Sequence, residues 1–295
     1  MSGEPDLLKL EQRDHPAHAG RNSVAVPFFD ADGVPADTIR RFDDDPDFVT
    51  GLARGLAVLL ALSDRRRHMS TAQIARRTGI PRAAARRALH TLELLGFAAG
   101  DDAHRYYLRP RVLSFSHAYL SASPLVVLAQ PILDRLGESQ REACSVAILD
   151  GDEIVYLARS ASSRIMSPRL NVGRRLPAYC TSIGHVSLAH LPQSELDAYL
   201  ARVKFYPYTE HTITSRERLL EVLEAVRENG YGFADQQMER RLCTLAVPIH
   251  DSAGHYVAGM NVILQGRLLS AGDMTSQYFR PLHEAALELG SLLLP

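Results

Sequence analysis

The sequence predicts an α+β protein in two parts: a helix-turn-helix with a basic hairpin, then an antiparallel sheet flanked by helices. Three observations carry that expectation. Two short helical patterns meet at Gly79-Ile80-Pro81. Residues 48–111 hold 12 Lys/Arg against 4 Asp/Glu, a net +8 in a chain whose total is −1. Beyond residue 142, strand pairs and helices follow one another without the strand–helix–strand rhythm of a parallel sheet.

The totals exclude several classes. A length of 295 residues leaves room for two domains. No apolar run approaches 18 residues and the N-terminus is acidic and polar, so neither a membrane span nor a secretory signal is expected. Cys144, Cys180 and Cys243 form no CxxC pair, which fits reduced thiols in a cytoplasmic protein, not a disulfide framework or a zinc site. No metal or cofactor is expected. Lys9 and Lys204 are the only lysines among 33 basic residues, so arginine content by itself marks nothing.

Residues 1–47 lack an apolar period and end in RFDDDPDF. They read as a disordered acidic arm, either a solvated tail or a competitor for the basic surface beside it. Residues 48–109 form the first domain. VTGLARGLAVLLALSD sets Leu52, Leu56, Leu59 and Leu60 at helical spacing. Ser70 is an N-cap for TAQIARR, which stops at Gly79, and Pro81 suits the first turn of the next helix. That helix stacks Ala85, Leu89 and Leu92 on one face, with Ala88 and Leu95 beside them. Arg86, Ala83, His90 and Arg87 point away. FAAGDDAHRYYLRP then reads as two short strands around a Gly-Asp-Asp turn.

Three helices and a basic hairpin describe a winged helix, and a cationic helix with small residues between its arginines suits a major groove. The candidate contacts to double-stranded operator DNA are Arg82, Ala83, Ala84, Arg86, Arg87 and His90 on that helix. Arg54, Ser70 and Thr71 at neighbouring helices and Arg105 and Tyr107 on the wing complete the set. Arginines on an exposed helix face are ordinarily only solvated. Here the helix pair, turn, hairpin and local charge coincide.

Residues 110–123 read as a linker helix broken at Pro124, a stiff connection that can also supply a dimer surface. Residues 124–295 form the second domain. ACSVAILDGDEIVYLARS and TLAVPIHDSAGHYVAGMNVIL are strand pairs around turns, and residues 182–203 are helices divided at Leu191-Pro192. Thr214-Ser215-Arg216-Glu217 is a capping box for a helix closed by Asn229-Gly230, and SQYFRPLHEAALELGSLLL is a terminal helix.

FVTGLARGLAVLLAL, IARRTGIPRAAARRALHTLELLGF, LPAYCTSIG and GYGFADQQMERRLCTLAVPIHDSAGHYVAGMNV occur in an order and spacing that resemble the IclR family of bacterial transcriptional regulators. The likeness covers roughly residues 48–295. LPAYCTSIG and RIMSPRLNVG are most similar to the branch regulating protocatechuate, 4-hydroxybenzoate and β-ketoadipate catabolism. The resemblance implies a GAF-like effector-binding domain and a homodimer or a homotetramer; RNA polymerase is a further candidate partner. It implies a small organic acid effector held near Tyr179, Cys180, Thr181, Ser182 and Ile183, with Asp235 or its neighbour Ala234, then Thr244 and Asn261. Ile165, Met166, Leu176 and Leu242 are the apolar wall candidates. From the residues alone, Cys180-Thr181-Ser182 opens a helix whose first amides suit a carboxylate, or are simply capped by Thr181 or Ser182. Thr244, Asn261 and Ile263 depart from relatives that take small keto acids, which favours an aromatic acid or an intermediate of aromatic breakdown over a keto acid. No arginine clamp is evident, since Arg174, Arg175 and Arg241 read equally well as surface residues.

Two other classes stand beside this reading. An enzyme would need Cys180 as nucleophile and His185 as base, but five helical residues set them 140° apart with no third group to orient the pair. A sensor or scaffold without DNA would need the basic helix to be a protein dock.

Overall fold

A computed structural model of the chain describes residues 35–63, 68–160 and 171–295. The disordered arm expected over residues 1–47 does not extend to its end. Pro35–Arg40 forms helix α1, whose Ala36 and Ile39 enter the first core, and Phe42 stacks on Phe48 with centroids 4.9 Å apart. A few apolar side chains fold this acidic stretch back onto the domain. The remainder of the arm lies outside the described residues, as do Arg65, Arg66 and Arg67.

Helix α2 (Thr50–Ala61) buries Ala53, Ala57, Val58 and Ala61. Its leucines Leu52, Leu56 and Leu60 are exposed, in line with Val49. The period is helical as expected, but the packed face is the alanine one, because small side chains let the backbones close. Strand β1 (Met69–Ser70) leads into α3 (Thr71–Thr78). The Ser70 hydroxyl accepts from Gln73 N at 3.3 Å while the Gln73 side chain accepts from Ser70 N at 2.8 Å, a reciprocal cap. Gly79 ends α3 at φ 67°, a left-handed turn that glycine adopts without strain. Helix α4 (Arg82–Leu94) then buries Ala85 and Leu89, with Ala84, Ala88 and Leu92 leaning on the same core. Leu95, expected on that stripe, is 51% exposed just past the helix end. The wing is β2 (Ala98–Gly100) with β3 (Arg105–Leu108), and β3 also pairs with β1, a third strand the sequence did not signal.

Helices α5 (Leu113–Ala122) and α6 (Pro124–Gln140) meet at an 80° bend. Among the described residues no single helix is long and apolar enough to cross a membrane; this bent pair is so only jointly. Ala129, Ile132, Leu133 and Leu136 of α6 are buried within the protein.

The second domain is built on a six-stranded antiparallel sheet. In chain order it runs β4 (Ala143–Asp150), β5 (Glu153–Arg159), β6 (Arg175–Pro177), α7 (Ser182–Ala189), α8 (Gln193–Arg202), α9 (Arg216–Asn229), β7 (Gly232–Asp235), β8 (Leu242–His250), β9 (Tyr256–Gln265), α10 (Ala271–Met274) and α11 (Arg280–Leu292). The strand order is β6-β5-β4-β9-β8-β7. The two expected hairpins, β4–β5 and β8–β9, join through β4–β9; the short edge strands β6 and β7 were not expected. Helix α9 is capped by Ser215, which accepts from Arg218 N at 3.2 Å, one residue later than the expected box.

Helices α6 and α11 cover one face of the sheet with an apolar core that includes Cys144, Val146, Ala158, Leu245, Val247 and Met260. Helix α7 covers the other, with α9 packed outside it. Every residue of α7 is buried. Gly184 permits this: a Cβ there would sit 2.0 Å from the Ala178 carbonyl oxygen. The β4–β5 ladder carries a bulge. Ala147 pairs with Tyr156 and Val146 with Ala158, leaving Leu157 as the extra residue.

Candidate functional site

Two surfaces gather the predicted residues. On the first domain, Arg82, Ala83, Arg86, Arg87 and His90 are all exposed along α4, opposite the buried Ala85 and Leu89. Ala84 departs from expectation, since it leans on the core and offers little surface. Arg54 in α2 and Thr71 at the start of α3 are half-buried, and the Ser70 hydroxyl is occupied by its cap. On the wing, Tyr107 stacks on His68 with centroids 4.8 Å apart. Asp101 is the wing's organiser: His68 Nδ1 lies 2.9 Å from its carboxylate, and Arg105 donates both its backbone N–H, at 2.8 Å, and its Nε, at 3.1 Å. The His68 contact first, and then the Arg105 bonds, hold the Asp101 carboxyl well below the usual carboxylate range. Arg105 thus spends part of its charge within the wing.

The second surface is a cavity between the sheet and the start of α7. Its lining comes from eight places in the chain: Tyr156 on β5, Leu176 on β6, Cys180 before α7, Thr181 and Ser182 at its first turn, Ala234 on β7, Gln237 and Met238 on the β7–β8 loop, Leu242 and Thr244 on β8, and Asn261 and Ile263 on β9. Leu176, Cys180, Thr181, Ser182, Leu242, Thr244 and Asn261 are therefore brought together as a group. Tyr156, Gln237 and Met238 were not anticipated; an aromatic in a buried strand and two residues of a loop carry no local signal of a cavity.

Three predicted contacts fall elsewhere. Tyr179 turns away from the cavity, its hydroxyl donating to Tyr206 O at 2.9 Å and accepting from Tyr206 N at 2.7 Å. Ile183 lies one residue too far along α7 and packs where a Cβ on Gly259 would meet it at 2.7 Å. Asp235 points to the opposite side of β7 from Ala234, its carboxylate 3.1 Å from the Cys243 thiol. Ile165 and Met166 lie outside the described residues. Arg175 bridges Asp150 and Glu153, and Arg241 donates to the Gly266 carbonyl at 3.0 Å, so neither reaches the cavity.

The polar chemistry of the cavity is unfinished from within. Thr181 caps α7, its hydroxyl accepting from Gly184 N at 3.2 Å and donating to Pro177 O at 3.2 Å. Among the described residues, Ser182 Oγ, Asn261 Oδ1 and Gln237 Oε1 find no hydrogen-bond partner, and nor does Ser145 Oγ, which sits on β4 directly opposite Asn261. Ser145, Ser182 and Asn261 are each no more than 1% exposed. Buried polar atoms are satisfied in the great majority of cases, so several unpaired ones around one space point to a polar guest. Burial pushes the Tyr156 phenol up to about 12, against the pull of Asn261, so it stays a protonated donor. Met238 closes the space from the loop, its sulfur 3.0 Å from Cys180 Sγ. That loop turns through Gln236 and Arg241, both at positive φ, and is pinned by Thr209 and Thr212, whose hydroxyls donate to Gln236 O and Gln237 O at 2.7 Å. The room left is about 20 Å³, one water's worth.

A nucleophile–base pair is not assembled here. Burial raises the Cys180 thiol above its ordinary range, and burial draws His185 down to about 4, with its Nε2 2.9 Å from the Tyr179 carbonyl oxygen. Thiolate and imidazolium are both disfavoured, and the ring is held by backbone.

The chain is similar to known proteins in both of its domains. The bacterial transcriptional regulator IclR C-terminal family matches residues 117–290, and the IclR helix-turn-helix domain matches residues 51–102. The chain is 42% identical over 290 residues to the Pca regulon regulatory protein of Pseudomonas putida, covering 98% of each. It is 35% identical over 252 residues to the p-hydroxybenzoate hydroxylase transcriptional activator of Acinetobacter baylyi, covering 84% of this chain and 93% of that one. Among solved structures it is similar to an IclR family transcriptional regulator from Brucella abortus, with a TM-score of 0.74 and 25% identity over 86% of this chain and 96% of that one. The inducer-binding domain of the PobR transcription factor from Acinetobacter, a double mutant in complex with 3-hydroxybenzoic acid, aligns with a TM-score of 0.53 and 29% identity over 56% of this chain and 97% of that one.

Proposed function

The chain belongs to the IclR family of bacterial transcriptional regulators, and on that premise we propose that it switches transcription of aromatic-catabolic genes by binding an aromatic acid, or a carboxylic intermediate of its breakdown, in the cavity beside α7. One observation carries the proposal: Ser182, Asn261 and Gln237 turn unpartnered polar atoms onto a space otherwise walled by Leu176, Met238, Leu242, Ile263 and the Tyr156 ring. Apolar walls with a few convergent polar groups suit a flat acid. Ring entry requires Met238 and Leu242 to swing outward; both are only half-buried.

For the output, the exposed arginines of α4 enter the major groove of operator DNA, and the wing of Arg105 and Tyr107 follows the backbone. Val49, Leu52, Leu56 and Leu60 make an apolar stripe along α2, which a second copy of the chain covers, so that two recognition helices face successive grooves about 34 Å apart. The effector changes DNA affinity only through its differential binding to the two arrangements of that pair, typically about 1–3 kcal/mol. Such a regulator works in the cytoplasm, where its three buried thiols stay reduced.

A thermal-shift screen of hydroxybenzoates, dihydroxybenzoates and six-carbon dicarboxylates tests the effector. A ligand at 100 times its Kd adds about 2.7 kcal/mol of stability. The small present volume of the cavity favours one rival, a two- or three-carbon keto acid, so glyoxylate and pyruvate belong in the screen; response to these alone would overturn the aromatic reading.

A further inference from the structure

The cavity's lining contains no charged side chain among the described residues, which leaves the counter-charge for an acid unassigned. The β4–β5 bulge brings one onto the face of the sheet that the cavity occupies. In a regular strand Tyr156 and Arg159, three residues apart, would point to opposite faces of the sheet. Leu157 is the extra residue of the bulge, so the alternation is reset between them. Ala158 consequently faces the α6–α11 core, and Arg159 shares the α7 face with Tyr156. The ladder agrees. Arg159 pairs with Ser145, and Ser145 pairs with Asn261, so the three lie in one row across β5, β4 and β9. Two members of that row, Ser145 and Asn261, hold unpartnered buried oxygens. The Arg159 backbone is fixed from the other side, where Gln130 Nε2 donates to its carbonyl at 2.9 Å.

We infer that Arg159 is the specificity-determining cation of the effector site, holding the carboxylate of the acid across the row Arg159–Ser145–Asn261 while the rest of the molecule lies against Tyr156 and the apolar walls. The inference rests on the effector reading above. A guanidinium presents five N–H donors in a planar fork that matches a carboxylate two bonds at a time, and it has donors enough to hold a ligand beside a protein neighbour. Arg159 is half-buried, so its interaction with an anion is less screened than at the surface. Burial also lowers its own pKa, with Tyr156 pulling the other way, and a carboxylate arriving beside it relieves that penalty. The consequence is selectivity by charge: the site takes the acid and rejects its uncharged amide or phenol.

The test is calorimetric titration of the full chain with 4-hydroxybenzoate, 3,4-dihydroxybenzoate and adipate, each beside its amide. The wild-type protein is expected to bind at least one acid at least ten-fold more tightly than its amide. Arg159→Gln should reduce that ratio to about one by weakening the acid alone, and Arg159→Lys should restore part of it. Thr244→Val, which replaces a lining hydroxyl with a methyl without touching the charge, should weaken acid and amide together and leave the ratio intact. An unchanged ratio in Arg159→Gln overturns the role of Arg159 and spares the effector reading. Silence of all three acids with the wild-type protein overturns the effector reading and this inference with it. Melting of the unliganded variants confirms folding, and where Arg159→Gln does not fold, Arg159→Lys decides: equal acid affinity in it and the wild type overturns the inference.

Discussion

Arg111, at the start of the linker, donates Nη1 to the carbonyl oxygen of Leu95, the residue just past the end of α4, at 2.6 Å. Its guanidinium also lies over the Phe97 ring, 5.7 Å from the centroid, and Phe97 stacks on Phe115 of α5 at 5.4 Å. Helix α4, proposed to face DNA, and helix α5, which leads to the second domain, are thus joined by one charge-assisted bond and one ring stack. Arg111→Ala should leave the operator affinity of the unliganded protein within about three-fold but shrink its response to effector. Titration of labelled operator with and without ligand reads both; an undiminished response would remove Arg111 from the coupling.

Arg86 stands exposed on the outward face of α4, with no hydrogen bond or ion pair to its side chain among the described residues. If it reads a guanine edge, Arg86→Ala costs about 1–3 kcal/mol at the operator and little on unrelated duplex. A uniform loss, with the salt slope reduced by about 0.9, makes it a phosphate contact instead. No loss on either DNA would sink the α4 interface.

Exposed leucines on α2 give a prediction about assembly. Leu52→Glu with Leu56→Glu should dissociate the proposed dimer, measured by sedimentation against the unsubstituted chain, while the domain stays folded because Ala53, Ala57 and Val58 carry its core. Sedimentation as a dimer in that variant would place the interface elsewhere.

Two glycines differ in sign. Gly184→Ala would press a methyl to 2.0 Å from the Ala178 carbonyl, forcing α7 off the sheet and costing roughly 3 kcal/mol or more. Gly51 sits in α2 with nothing within 4 Å of a Cβ, so Gly51→Ala should stabilise by about 0.5–1 kcal/mol. Thermal melts of the pair check both directions.

His185 predicts an acid limb. Burial holds it at about 4 when folded, against 6.5 for the free side chain, so the unfolded chain binds the proton first. Its contribution is fully present above about pH 6.5 and is lost as pH falls toward 4, about 3 kcal/mol in all. His185→Gln should flatten that part of the stability–pH curve; an unchanged slope would assign the acid sensitivity to other groups.

Much of the first domain was legible because its signals are local: Ser70 caps, Gly79 turns, Pro81 restarts, and the charge sits where the helix is exposed. The choice between the leucine and alanine faces of α2 was not, since both recur at helical spacing and only a partner decides which one is covered. In the second domain the segment 176–184 pointed to the cavity, yet residues one position apart, Ser182 and Ile183 or Ala234 and Asp235, part company because neighbouring side chains on a helix or strand face different ways. Arg159 was illegible for a sharper reason. Plain alternation sends it to the wrong side of the sheet, and the bulge that corrects this leaves no mark in a run of EIVYLAR.

The loop over the cavity has a consequence for how binding could be watched. Thr209 and Thr212 tie Gln236 and Gln237 to a surface segment that displays Tyr206 and Tyr208 edge-to-face, 4.9 Å apart. The chain contains no tryptophan. Tyrosine emission is therefore undrowned, and displacement of Met238 by a guest should register in the glow of that outward-facing pair without any added dye.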